Sequence, residues 1–323
     1  HSGYTKRMPT NTYKSQRRGG RGITGVTTRE EDFVEHIFTS STHEFILFFT
    51  TRGIVYRLKG YQIPEAGRTA KGTAIVNLLP LEKDEKISAM IPVKSFDEGE
   101  YLTFVTRNGL VKRTDMMDYS RIRQGGLRAI ELVDDDELIS VNLTDGTKEM
   151  LVATENGLCI RFKESDARAM GRTTRGVKAI ELNEGDRVVS AVVADPEKAV
   201  LAVTENGYGK RTQLEEYRIQ TRGGKGIFTY KLTDKTGRLI GLVSAPEDSD
   251  IMLITSDGVV IRMHVDEISI YGRQTQGVRL MKLSDGVKTV SVALTEREEE
   301  EDEVTSETED TETPDSDENG GEE

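Results

Sequence analysis

The segment TENGLCIR, Thr154–Arg161, decides the fold because the chain repeats it. Moving outward, TTRGIVYR (Thr50–Arg57), TRNGLVKR (Thr106–Arg113), TENGYGKR (Thr204–Arg211) and TSDGVVIR (Thr255–Arg262) follow the same pattern, and SGYTKR (Ser2–Arg7) is a sixth copy lacking its front. The turn glycines are Gly3, Gly53, Gly109, Gly157, Gly207 and Gly258, at intervals of 50, 56, 48, 50 and 51 residues. Such a period marks a stacked or radial repeat architecture. Apolar runs such as Leu151–Ala153 and Val200–Val203 lead into Asn-Gly or Asp-Gly turns and short runs leave them, a hairpin signature. A second pair of runs follows, as in Ala179–Leu182 and Val188–Val193, so each unit predicts about four strands. A small sheet cannot bury both faces alone, but six stacked around a ring can. The expectation is an all-β, six-bladed, propeller-like domain over residues 1–294 with a disordered acidic tail over 295–323.

Charge divides the chain at the same place. The whole carries 44 Lys plus Arg against 56 Asp plus Glu, a formal charge of −12. Residues 295–323 hold 16 acids and one base, a local −15, and removing that from −12 leaves +3 for residues 1–294. The acidic balance belongs to the tail, and the body is mildly basic. The tail has almost nothing apolar to bury, and as a polyanion it could compete for a basic rim. A single cysteine, Cys159, excludes a disulfide framework or Cys-rich zinc site, and four scattered histidines make no metal site. No apolar stretch reaches bilayer length and no signal peptide opens the chain, so a cytoplasmic body with no membrane partner is expected.

Two columns of cations accompany the repeat. Four residues after each turn glycine stands an arginine: Arg7, Arg57, Arg113, Arg161, Arg211 and Arg262. These either bind a ligand as a ring of charge or solvate an edge strand. A second glycine, Gly22, Gly72, Gly126, Gly176, Gly226 or Gly277, follows 19 residues after the first in five units and 17 after it in the third. Arg18 and Arg21, Arg68 and Lys71, Arg172 and Arg175, Arg222 and Lys225, and Arg273 alone precede it; in the third unit Arg121 and Arg123 are displaced and Arg128 follows. Lys6, Lys178 and Arg279 complete the candidates. The densest loop is Gln16-Arg17-Arg18-Gly19-Gly20-Arg21-Gly22. Its guanidiniums can fork onto phosphate oxygens while the glycines let backbone N–H groups approach. No recognition helix is visible, so backbone positioning without direct base readout is expected.

QRRGGRG over Gln16–Gly22 matches the box motif of the DNA gyrase A C-terminal domain family, and the TxxGxxxR and (K/R)G landmarks resemble that family's six-bladed β-pinwheel over residues 1–294. Topoisomerase IV subunits are similar, with a degenerate or missing box. The third and sixth units depart, the sixth with Gln276 where a cation stands elsewhere. The resemblance implies that duplex DNA runs around a basic rim in a positive, chiral wrap that lets gyrase introduce negative supercoils. It implies a monomeric, non-catalytic fragment without cofactors, acting in a bacterial A2B2 complex of gyrase A and gyrase B that uses ATP and Mg2+. The rivals are a topoisomerase IV domain serving decatenation or relaxation, a protein-interaction propeller, and an RGG-like RNA segment. Zero Trp and the absence of a Gly-His…Trp-Asp pattern oppose the interaction propeller.

Overall fold

The computed structural model describes residues 3–12, 23–24, 37–133 and 135–297. It is all-β, with short 3-10 turns and no α-helix among the described residues. Each turn closes tightly: the glycine N–H donates to the threonine carbonyl three residues earlier (Gly109 to Thr106 at 3.0 Å, Gly157 to Thr154 at 3.0 Å), with φ of 81° and 84° at these glycines. That left-handed position closes a three-residue hairpin loop and explains the glycine. The buried threonine then ties the exit, its Oγ1 accepting from Leu110 N at 3.2 Å and Leu158 N at 3.2 Å.

Five four-stranded antiparallel sheets result, not six, which corrects the expected blade count. The first orders Ile87–Val93, Phe45–Thr50, Ile54–Lys59 and Leu127–Arg128. The others repeat this order, and the fourth strand always comes from the following unit. Thus Val177–Lys178 pairs with Val111 and Leu110 of the unit before, and Ile227–Phe228 with Cys159 and Leu158. Ile23–Thr24 of the first unit pairs with Val260 and Val259 of the last, joining the two ends of the repeat. At the remaining position, only Tyr4–Thr5 paired with Thr73–Ala74 is built among the described residues. Residues 13–22 and 25–36 of this unit lie outside the described part, so the two-stranded pairing is what the described residues build here.

Both faces of the central hairpins are covered. Met150 and Val152 pack toward Val105 and Val111, whereas Leu151 and Ala153 pack toward Val200 and Ala202. Alternating side chains along one strand therefore serve two neighbouring blades, which produces continuous apolar runs in place of polar/apolar alternation. Phe49 meets Phe104 edge to face with centroids 5.4 Å apart, joining two sheets. Each such buried side chain contributes roughly 1.5–3 kcal/mol. The longer third strands lie side by side across blades, with Ser140 Oγ donating to Ala191 O at 2.8 Å and Ser190 Oγ to Leu242 O at 3.2 Å. They form one end of every sheet order, so the exchanged two-residue strand forms the opposite edge. The last strand is Thr289–Glu296, and Thr295 and Glu296 pair with Asp250 and Ser249. This strand runs past the expected domain boundary at 294 by two residues. Residues 298–323 lie outside the described part.

Candidate nucleic-acid interface

The exchanged strand and the loop before it carry the second glycine column. These glycines lie against the preceding hairpin: a Cβ on Gly176 would stand 2.5 Å from Val111 O, and one on Gly226 2.5 Å from Cys159 O. The same residues have φ of 98° and 76°. A glycine is required on both counts. It presses the loop to the edge and leaves the adjoining cations outside.

Arg68, Arg121, Arg123, Arg128, Arg175, Lys178, Lys225 and Arg279 are exposed. Among the described residues, Arg68, Arg121, Arg123, Arg128, Lys178 and Lys225 have no acidic partner, while Arg175 meets Glu131 at 3.1 Å, an exposed pair of small energetic value. Lys71 lies 3.8 Å from the Tyr4 ring centroid, and Arg279 donates to Tyr208 Oη at 3.0 Å. Arg172, Arg222 and Arg273 are half-buried brackets: their Nη1 atoms donate to Arg128 O at 3.0 Å, Lys178 O at 3.0 Å and Phe228 O at 2.6 Å. Each ties its loop to the exchanged strand of the unit before while leaving part of its guanidinium at the surface. Arg168 and Arg218, both exposed and 11 residues past their turn glycines, add cations that the sequence reading missed. With Lys14, also 11 residues past its glycine, the position carries a cation in three of the six units, Pro64, Ser120 and Ser269 filling the others, so it forms no complete column.

The turn arginines Arg7, Arg57, Arg113, Arg161, Arg211 and Arg262, expected either to bind a ligand or to solvate an edge strand, engage groups of the fold itself. Arg113, Arg211 and Arg262 are buried. Arg113 Nε donates to Ala167 O at 3.1 Å, Arg211 Nε to Ile268 O at 2.6 Å and Arg161 Nη1 to Tyr217 O at 3.0 Å. Arg7 Nε reaches Ile63 O at 3.2 Å, and Arg57 lies over the Phe45 ring at 4.7 Å. Arg262 Nε meets the buried Asp250 carboxylate at 2.8 Å. Arg262 also reaches Glu296 O and, at 3.3 Å, Thr10 O of the first unit, and Arg57 Nη1 reaches Ser120 O at 3.4 Å, so all six guanidiniums satisfy carbonyls of the unit that follows around the ring. They are braces of the ring.

Lys6 is also turned inward. Its Nζ donates to Gly67 O at 2.9 Å, Arg68 O at 2.5 Å and Ala70 O at 2.8 Å, all in the loop of the next unit. Lys112 and Lys210 occupy the same repeat position and are buried. Lys112 Nζ donates to Ala129 O at 2.6 Å and to Arg172 O; Lys210 Nζ donates to Gly272 O at 2.8 Å, Arg273 O at 2.5 Å and Thr275 O at 3.1 Å. Burial, with the Arg172 guanidinium behind it, pushes Lys112 down to about 7, and burial pushes Lys210 down to about 8. The box residues Gln16, Arg17, Arg18, Gly19, Gly20, Arg21 and Gly22 lie outside the described residues.

The family model described as the DNA gyrase C-terminal domain, beta-propeller, matches residues 1–41, 44–94, 100–145, 148–195, 198–246 and 249–296, one segment per repeat. The chain belongs to the DNA gyrase C-terminal domain family. It is 58% identical over 301 residues to the DNA gyrase A protein of Halalkalibacterium halodurans, covering 93% of this chain and 36% of that protein. To the DNA gyrase A protein of Escherichia coli K12 it is 45% identical over 292 residues, covering 90% and 33%. The chain thus spans about a third of the length of these relatives. A solved DNA gyrase A C-terminal domain superposes with a TM-score of 0.82 at 26% identity, over 91% of this chain and 96% of that one. The C-terminal domain of a DNA topoisomerase IV superposes with a TM-score of 0.71 at 28% identity, over 91% of each. The gyrase family fold is therefore built here as an all-β propeller of exchanged blades.

Proposed function

We propose that this gyrase-family domain binds duplex DNA along its outer edge and bends it into a chiral, positive wrap, so that the complete enzyme introduces negative supercoils. The observation that carries the reading is the repetition of unpaired cations, Arg68, Arg128, Lys178 and Lys225 among them, on the exchanged strand and its loop at one edge of successive blades. Charges repeated at this edge fit a polyanion that passes from blade to blade. Smooth bending by 40–90° over 20–30 base pairs costs on the order of 1–6 kcal/mol, and counterion release at many phosphates offsets it. With no α-helix among the described residues to enter a groove, contact falls on the backbone. Arg17, Arg18 and Arg21 of the box supply the densest contact, and the QRRGGRG match favours the gyrase reading over topoisomerase IV.

In this reading the chain does no chemistry. Its partners are DNA, the rest of gyrase A and gyrase B, while ATP and Mg2+ act in the other parts of a cytoplasmic A2B2 enzyme. Affinity for a long and a short duplex, titrated with salt, tests it. Tighter binding of the long duplex with a steep salt dependence supports the rim; equal, weak, salt-insensitive binding opposes it.

A further inference from the structure

The residue before the turn arginine alternates around the ring: Lys6, Tyr56, Lys112, Ile160, Lys210, Ile261. The loop of the following unit alternates with it. After Lys6, Lys112 and Lys210 come GRTAKG (Gly67–Gly72), GRTTRG (Gly171–Gly176) and GRQTQG (Gly272–Gly277). After Tyr56, Ile160 and Ile261 come loops with paired glycines, at Gly125–Gly126, Gly223–Gly224 and Gly19–Gly20. In the fifth unit the paired glycines shape the loop themselves: Gly223 has φ of 84°, Gly224 O accepts from Glu181 N at 2.9 Å, and a Gly224 Cβ would lie 3.7 Å from Ile160 Cδ1. The loops without paired glycines instead rest on an ammonium.

The consequence concerns the amides. An ammonium donates only, so it gathers carbonyls. The C=O and N–H of one planar peptide unit point opposite ways, so drawing a carbonyl inward turns the next residue's N–H outward. Lys210 gathers the carbonyls of Gly272, Arg273 and Thr275, which directs the amides of Arg273, Gln274 and Gln276 away from it. One of these amides already holds an anion, since Arg273 N donates to a Glu216 carboxylate oxygen at 2.9 Å. A phosphate oxygen makes the same kind of contact with outward-facing backbone N–H groups.

Resting on the DNA reading above, we propose that Lys6, Lys112 and Lys210 are positioning residues for phosphate contact: each buried or inward-turned ammonium holds the next unit's loop with its carbonyls in and its amides out, without touching DNA. Around Lys112 stand the Arg172 guanidinium, the Asp118 carboxylate, the Phe104 ring at 5.3 Å and the Tyr119 hydroxyl, which donates to the same Ala129 carbonyl at 3.1 Å. Around Lys210 stand Glu216, Arg273 and the Tyr230 ring at 4.6 Å. Loss of the lysine proton removes the charge and one of three N–H donors, which loosens the hold on the carbonyls, and the burial of Lys112 and Lys210 brings that event near neutral pH.

The test compares the full chain with K112M/K210M between pH 7 and 9.5, in two readouts. Amide nitrogen shifts of Thr173, Gln274 and Gln276, which follow the bonded carbonyls, should move with pH in the parent protein and stay flat in the variant, with Gly224 flat in both. Duplex affinity at low salt should fall by about tenfold over that range in the parent, roughly one charge-assisted contact, and be weak and pH-independent in the variant. Equal shifts and equal affinity profiles in the two proteins overturn the proposal. A parent whose loop amides respond to pH but which binds no DNA at any pH overturns the DNA reading and leaves the lysine–loop coupling supported. A melting scan of the variant confirms that it is folded.

Discussion

Arg211 Nε donates to Ile268 O at 2.6 Å, joining the hairpin of one unit to the segment leaving the 3-10 turn of the next, 57 residues along the chain. Its Nη1 meets Glu247 at 2.7 Å, while the guanidinium itself is almost wholly covered. This brace is repeated at Arg113–Ala167 and Arg161–Tyr217. It makes the turn arginines a property of the ring's integrity.

Arg211→Ala should therefore lower stability by about 2–3 kcal/mol, the scale of charged hydrogen bonds lost inside a protein. Denaturant unfolding measures this. DNA affinity, measured where the variant is fully folded, should stay within twofold of the parent. A selective loss of affinity with unchanged stability would place Arg211 at the ligand instead.

The glycine columns differ in the same physical way. Gly226→Ala forces a Cβ to within 2.5 Å of Cys159 O at a φ of 76° and should cost about 1–3 kcal/mol or more. Gly171→Ala meets nothing within 4 Å and has no such backbone demand. Its unfolding midpoint should match or slightly exceed the parent's.

Removing exposed cations should do the reverse. R128A/K178A/K225A should leave stability within about 0.5 kcal/mol, because these side chains are solvated. Each lost phosphate contact should reduce the slope of log affinity against log salt by about 0.9. A salt titration of duplex binding checks it, and an unchanged slope would remove this edge from the interface.

Alkaline pH should stabilise the fold. Lys112 and Lys210 lie at about 7 and about 8 when folded, against an ordinary 10.5. Between those values the unfolded chain binds more protons, so unfolding free energy rises with pH and levels off as pH passes 10.5. Denaturant unfolding at pH 7.5 and 9.5 should show the increase in the parent and a smaller one in K112M/K210M. DNA affinity is expected to move the opposite way over the same range, which separates the loop effect from global stability.

Much of this was legible in the chain. The Thr154–Arg161 pattern specifies its own turn, since Thr, Gly and the two apolar runs each have a local physical role. The strand exchange was not legible. Val177–Lys178 is too short to show a period, and its partner Val111 lies 66 positions earlier. Five full sheets stand among the described residues where six turn glycines were counted, because a turn glycine marks one hairpin and not the other strands of its sheet. Of the site, the exposed column was readable as charge beside glycine. The turn arginines resembled it because sequence records a cation but not the neighbouring carbonyls that occupy it. Lys112 and Lys210 were unremarkable for the opposite reason: a lysine before an arginine looks solvated until the following loop is seen above it.

The central claim is chiral wrapping, and ligation of a nicked plasmid in the presence of the chain at low salt measures it directly. After deproteinisation, the linking number should shift positively with protein concentration, and R17A/R18A/R21A should lose the shift. An unshifted linking number at saturating, gel-verified binding would contradict the account.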